Sequence, residues 1–296
     1  MRTTLIISCL NQFELLNENL KVLTKDNDSD DFEILIIDNG SDTPFETDLP
    51  NVRVIRFEEP FGSYPVFKIA LENTSSDILA FIHSDFIIWN PRWFAQVGNA
   101  FRGDSKLGLI GMIGSNSWGV NGGRGGGTMG SFQGRTLAEK WSGSSISGHG
   151  QDVTGQLRNA CQLDGCSMIF RRECLESLPL DNWKLPHHFY DRVLSAWTLQ
   201  HDWKIAVLGV ECDHISGRTM GESRYNQMCK KWAKENLGIE KISQWIDNNK
   251  AWHYNITNPS HGEKPGDAWD WVIYQEAQKR FLQDFRDKQK FIPMQV

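Results

Sequence analysis

The sequence has no long apolar run, no paired cysteine motif and no block of basic residues. Its longest apolar stretches, Ile34 to Ile37 and Ile78 to Ile82, stop at Asp38 and His83. A bilayer-crossing helix needs about 20 apolar residues, so no integral membrane segment is expected. The six cysteines (9, 161, 166, 174, 212 and 229) include no CxxC pair. That argues against a zinc ribbon, a thioredoxin-type centre or a disulfide scaffold. Runs of Lys and Arg never exceed two residues, and the net charge is −6 from 31 bases and 37 acids. A protein that grips duplex DNA mainly by charge is thereby excluded. The stretch Met1 to Ile7 lacks a long apolar region and a cleavage site, and reads as a first strand; a reduced, cytoplasmic protein is the expectation.

What is present is a core. Leu, Ile, Val and Phe make up about a quarter of 296 residues, enough to exclude wholesale disorder. Twelve tryptophans exceed the usual need of such a core, although most are accounted for as packing residues. The first half has a strand–helix rhythm. Thr4 to Ser8 reads as a buried strand. Asn11 with Glu14 reads as a capping box opening a helix to about Thr24. Strands are expected at Phe32 to Ile37, Val52 to Phe57, Ile78 to Ile82 and Leu107 to Ile113. Helices are expected from Pro65 to about Leu71 and from Asn90-Pro91 to Phe101. Short connections between alternating elements argue for a mostly parallel α/β sheet. Ligands of such sheets bind at the carboxyl ends of strands, where Asp38 and Asp85 both fall.

Residues 115–160 are rich in glycine and serine. The run Gly125 to Gly130 matches G-x-G-x-x-G, but no strand feeds it and no helix opens from it, so a dinucleotide loop is rejected. A surface loop, or a lid between Gly119 and Gly130, is the alternative. Order returns with a strand from Cys161 to Phe170, a helix from Tyr190 to His201 and a strand from Lys204 to Val210. The chain after Gly221 reads as helical.

Several pieces in order resemble family-2-type glycosyltransferases of the GT-A fold. They are Leu5 to Asn11, Ile36 to Ser41, Phe81 to Asp85, Leu163-Asp164-Gly165 before Arg171-Arg172-Glu173, His188 to Asp191, and His214 to Gly217. The resemblance spans roughly residues 3–220. It implies a Rossmann-like central sheet flanked by helices, with a nucleotide-binding half over about 1–114 and an acceptor half over about 115–220. A helical C-terminal extension would cover 221–296.

The activity so implied is a metal-dependent, inverting transfer of a sugar, as by a hexosyltransferase, from a nucleotide diphosphate to an acceptor hydroxyl. A divalent cation, Mn2+ or Mg2+, would neutralise the leaving diphosphate. Asp85 corresponds to the last acid of the family's acidic motif and His214 to its metal-binding histidine. His83 stands where that motif has its first acid, and its role is left open between the ribose and structure. Asp38, with Ser8, Cys9 and Asn11, corresponds to the base pocket, and an acid accepting a ring N–H favours UDP. Lys68 and Ser84 fall near the nucleotide, and Asp164 near a sugar. Asp191 corresponds to the general base. The acceptor is left open among a glycan, a lipid-linked sugar, a small molecule and a modified nucleobase. The competing classes are a sugar-phosphate nucleotidyltransferase and a non-catalytic carbohydrate-binding protein.

Overall fold

The computed structural model describes residues 1–25, 31–119, 122–124, 127–135, 137, 150–215, 222–248 and 269–286. The chain first alternates strands and helices: β1 (Thr3–Cys9), α1 (Phe13–Thr24), β2 (Phe32–Asn39), β3 (Val52–Phe57), α2 (Val66–Asn73), β4 (Ile78–His83), β5 (Phe86–Ile88), α3 (Trp93–Gly103) and β6 (Leu107–Gly111). Short strands follow: β7 (Gly114–Ser115), β8 (Thr128–Gly130), β9 (Gln151–Asp152), β10 (Leu157–Ala160), β11 (Gln162–Leu163) and β12 (Ser167–Arg171). Then come α4 (Arg172–Ser177), α5 (Tyr190–Gln200), β13 (Lys204–Leu208) and β14 (Cys212–His214). Three helices close the described chain: α6 (Ser223–Leu237), α7 (Ile242–Asn248) and α8 (Trp269–Phe281). No helix among the described residues is long and apolar enough to cross a membrane.

The fold is mixed α/β around an eight-stranded sheet, in the order β10-β13-β6-β12-β4-β1-β2-β3. Only β12 and β10 run against the others. Both faces of the sheet are covered, which is why its central strands are nearly continuous apolar runs. Side chains alternate between two cores. Leu5, Ile7, Ile34, Ile36 and Ile78 meet Leu16 and Leu20 of α1 and Val97 and Phe101 of α3. Ile6, Leu35, Ile37 and Phe81 meet α2, α5 and the later helices through Phe67, Ala70, Leu194, Tyr225 and Ile273. Tyr225, Cys229, Ile273, Ala277 and Phe281 of the last helices therefore share one apolar cluster with α2 and α5.

Three local expectations need correction. Asn11 does not cap α1: the helix begins at Phe13, and its preceding residue makes no side-chain cap bond. Asn11 instead takes a left-handed backbone (φ 57°), where its side chain exchanges bonds with Asp42. A short polar side chain that ties down a turn is suited to this conformation, and competes with capping. The expected strand from Cys161 to Phe170 is broken at Asp164 to Cys166, because the Asp164 carboxylate accepts the Cys166 N–H at 3.1 Å and folds a turn. Asn90-Pro91 opens a turn, Asn90 accepting the Arg92 N–H at 3.0 Å, and the helix proper starts at Trp93. Of the glycine run, Gly125 and Gly126 lie outside the described residues, and so do residues 120 and 121 of the expected lid. Thr128 to Gly130 is strand β8.

The end of β2 is closed by Asp38, which is fully buried. Its carboxylate accepts bonds from the Ser41 and Phe45 backbone N–H groups and from Arg56 at 2.7 Å. Burial works against its charge, but these bonds prevail and hold its pKa below the ordinary carboxylate range. Such a group contributes stability that is present above its unfolded pKa, near 3.9, and is lost as pH falls through the lower folded value. We expect Asp38→Ala to cost about 3 kcal/mol, because buried donors lose their acceptor. Urea unfolding at neutral pH measures it, and the gap between wild type and variant should narrow below about pH 4.

Candidate active site

A cleft of about 250 Å³ opens at the carboxyl ends of β1, β2 and β4. The chain moves from β1 outward to β2 and β3, then returns to the other side of β1 with β4. This reversal leaves a crevice at the strand ends, the usual ligand position in such sheets. The β1 end contributes Ser8, Cys9 and Leu10, and the β4 end contributes His83, Ser84 and Asp85. The opposite wall holds Gly62, Ser63, His187, His188, Tyr190 and Tyr225. Gly62 has φ 81°, and a Cβ there would collide with the Pro186 carbonyl, so the wall can close only on glycine.

Asp85 sits in the tight turn between β4 and β5. Two things fix that turn. Asn19, fully buried on the leucine face of α1, donates to the Ser84 and Phe86 carbonyls at 3.1 and 2.9 Å. Strand β14 then pairs antiparallel with β5, which sets His214 opposite Phe86, and the Ile215 N–H bonds the Asp85 carbonyl at 3.0 Å. His214 Nε2 consequently lies 3.4 Å from Asp85 Oδ1. His83 Nδ1 lies 3.9 Å from the same oxygen. Asp85 and His214 are both buried, at 6% and 9% exposure.

The charges follow from these contacts. Burial opposes ionisation of Asp85, yet the His214 bond and charge, with His83, bring its pKa below the usual value. His214 is raised in return: burial lowers it, and the bond to Asp85 outweighs burial. His83 is lowered, chiefly by desolvation. Asp164, beside the cleft-lining Gly165, is brought down to about 2; burial resists this, and Arg124 at 3.3 Å and His214 overcome it. Asp191 goes the other way, raised mainly by burial and further by the Asp164 charge.

The expected site residues separate into groups. Ser8, Cys9, Ser84, Asp85 and His214 line one cleft, and Asp164 flanks it. Cys9 is a wall and not a nucleophile, since burial pushes its thiol far up. Asp191 is placed at the first turn of α5, within electrostatic reach of His83 and Asp164 but outside the lining. Asn11 lies outside this lining, in a separate polar pocket where it bonds Asp42 and Glu222. Asp38 and Lys68 are not brought to the cleft. Asp38 is turned inward on Arg56, its neighbour Asn39 lines the cleft instead, and Lys68 pairs with Asp181 at the surface at 2.9 Å.

Sequence reading missed Asn19, Tyr190 Oη, His187, His188 and Tyr225. A polar residue on the leucine stripe of α1 was the available signal for Asn19. The adjacent histidines before Tyr190 were another. Tyr225 had no local signal, since only the packing of α6 brings it to the cleft.

Comparison with known proteins agrees with this fold. A search of curated proteins found no match. Among solved structures, S. aureus TarS 1-349 in complex with UDP-GlcNAc is similar, with a TM-score of 0.50 at 15% identity over 96% of this chain and 81% of that one. The mannosyltransferase PcManGT from Pyrobaculum calidifontis, in complex with GDP-Man and Mn2+, aligns at a TM-score of 0.46 and 14% identity, over 97% of this chain and 75% of that one. The model of Glycosyl transferase family 2 matches residues 4–177, from β1 to the end of α4 and across the Asp85 turn. The chain is a glycosyltransferase and belongs to that family.

Proposed function

We propose that the protein moves a sugar from a nucleoside diphosphate to an acceptor hydroxyl with inversion, and that a divalent cation at Asp85 and His214 assists. The observation that carries this reading is the meeting of Asp85 Oδ1 and His214 Nε2 at the strand-end cleft. The donor set suits such an ion: an ionised carboxylate beside imidazole, with room in the cleft for diphosphate oxygens. A bound ion supplies charge stabilisation for the departing diphosphate.

The chain's own residues supply the rest. Ser8, Cys9 and Asn39 face the nucleotide end of the cleft, and Ser84 its phosphates. A UDP-sugar is the donor proposed, on the likeness in fold to the UDP-GlcNAc-bound TarS structure. Asp38 is left out of this reading, because it is fully buried outside the cleft lining and bonded to Ser41, Phe45 and Arg56. Asp164, held ionised beside Arg124, orients a sugar hydroxyl. Asp191 takes the acceptor proton. A carboxyl with a raised pKa is a better base than an ordinary one, and one base with one in-line attack inverts the anomeric centre.

A donor screen read by released nucleotide tests the activity, with EDTA as the metal control. We expect nucleotide release to fall with EDTA and return with manganese. Asp85→Asn should lose that dependence together with the activity while its thermal unfolding stays cooperative. Full activity in EDTA would refute the cation.

Asp191→Asn keeps size and polarity. We expect unchanged nucleotide affinity by calorimetry and transfer slower by roughly 10²–10⁴-fold. The raised pKa sets the acid limb of kcat/KM above the ordinary carboxylate range, and that limb should vanish in the variant. Transfer at the wild-type rate, or a product of retained configuration, would remove Asp191 from the chemistry.

A further inference from the structure

His83 occupies the position at which the family's acidic motif is interrupted, and each of its ring nitrogens has a polar neighbour. Tyr190 Oη donates its one proton to the Gly165 carbonyl at 3.3 Å. The contact of 2.8 Å between Tyr190 Oη and His83 Nε2 is then open to His83 Nε2–H as donor. That bond leaves the Nδ1 lone pair unprotonated and directed toward Asp85 Oδ1 at 3.9 Å, too far for a hydrogen bond. Gly165 permits the arrangement, since a Cβ at that position would run into the Tyr190 hydroxyl. On the other side His214 Nε2 approaches the same oxygen at 3.4 Å, and the two imidazole rings lie 5.7 Å apart. One ligand atom from each of His83, Asp85 and His214 thus falls within 4.8 Å of the others. Two ligands at ~2.0–2.2 Å from a common ion are at most ~4.4 Å apart, so both measured separations from Asp85 are within the span of one ion.

We propose that His83 is a third protein ligand of the cation, and that the resulting set of two histidines and one carboxylate selects manganese-like ions over magnesium. This inference rests on the glycosyltransferase reading above and names the ion that its cation site prefers. The chemistry favours it in two ways. Imidazole nitrogens bind first-row transition metals, of which Mn2+ is the weakest binder, more readily than they bind Mg2+, which prefers oxygen and sheds water reluctantly. An imidazole whose far N–H is hydrogen-bonded is held in the correct tautomer and orientation, and here Tyr190 does this. A second cluster, Asp164, Cys166 and His214, shares the histidine. It is the poorer match for such an ion, because a thiolate ligand suits softer metals than Mn2+ or Mg2+.

The test uses nucleotide-free full-length protein and the metals alone. Manganese binding is followed by electron paramagnetic resonance of free Mn2+ and by calorimetry, with Mg2+ as competitor. Wild type should bind Mn2+ at least about tenfold more tightly than Mg2+. His83→Gln keeps a donor for Tyr190 but lacks the Nδ1 lone pair, and should lose about 10–100-fold in Mn2+ affinity. His83→Asp restores an acid in this place and should narrow the Mn2+ preference. Tyr190→Phe should weaken Mn2+ binding by about tenfold or more without removing a ligand. Thermal melts of the metal-free variants show that each is folded. If His83→Gln and His83→Asp bind Mn2+ as wild type does while Asp85→Asn abolishes binding, His83 is not a ligand and only this inference falls. If EDTA leaves nucleotide release from the donor unchanged, the cation itself is lost from the mechanism, and this inference with it.

Discussion

The three-residue ladder between β5 and β14 is the contact on which the site depends. It is short, and without it Asp85 and His214 belong to segments far apart in the chain. Its register places His214 opposite Phe86, one residue past Asp85, and so brings imidazole to carboxylate. The ladder in turn needs a fixed turn at Ser84-Asp85. Asn19 provides it, spending its amide on two buried carbonyls from inside the leucine face of α1. A buried carbonyl left without a donor costs about 1–3 kcal/mol, so the helix and the turn hold each other in place. Asp213 braces the neighbouring segment in the same manner. Its buried carboxylate collects the backbone N–H groups of Gln133, Gly134 and Arg135 and the Trp89 indole.

The opposite wall depends on the C-terminal helices. His188 and Phe189 both adopt left-handed backbone, at φ 61° and 56°, which costs of order 1–3 kcal/mol for each non-glycine residue. Packing repays it. Asp270 at the start of α8 accepts from His188 at 2.7 Å and from Tyr225 of α6 at 2.6 Å, and Phe189 packs on Tyr274 and Phe281. The strained pair turns the chain directly into α5, so that Tyr190 reaches His83 and Asp191 falls in the first turn of the helix. Arg224 fastens α6 to the Gly40, Ser41 and Glu58 carbonyls at the β2 side. Helices α6 and α8 are therefore tied both to the wall that carries His188 and to the loops after β2 and β3.

Carboxylates of one chemistry are sorted by these surroundings. Asp38, Asp164 and Asp270 are all driven below their ordinary range despite burial, each by a cationic or hydrogen-bonding partner. At Asp191 burial and the Asp164 charge outweigh the Arg192 charge and the Arg192 N–H bond at 2.9 Å, and its pKa is raised. Groups separated in this way can serve different purposes at one pH, some as fixed charges and one as a base.

The sequence by itself determined the sheet. Apolar runs such as Ile34 to Ile37 can be satisfied only by cover on both faces, and the alternation with helices makes the sheet mostly parallel; these are local patterns that any homogeneous core enforces. It also pointed to the strand ends, and Asp85 and His214 do meet there. It and the structure part where a polar side chain has two uses. Asn11 and Asp38 carry the chemistry of a cap and of a base-binding acid, and the structure uses one for a left-handed turn and the other for Arg56. Lys68 was placed by analogy alone, and an aspartate over a hundred residues away took it. Tertiary structure alone decided the contact of His83 with Tyr190, the reach of Asn19 and the contribution of Tyr225 and Asp270. Each of these depends on groups that are distant in the chain, and distance in the chain carries no local pattern from which a contact can be read.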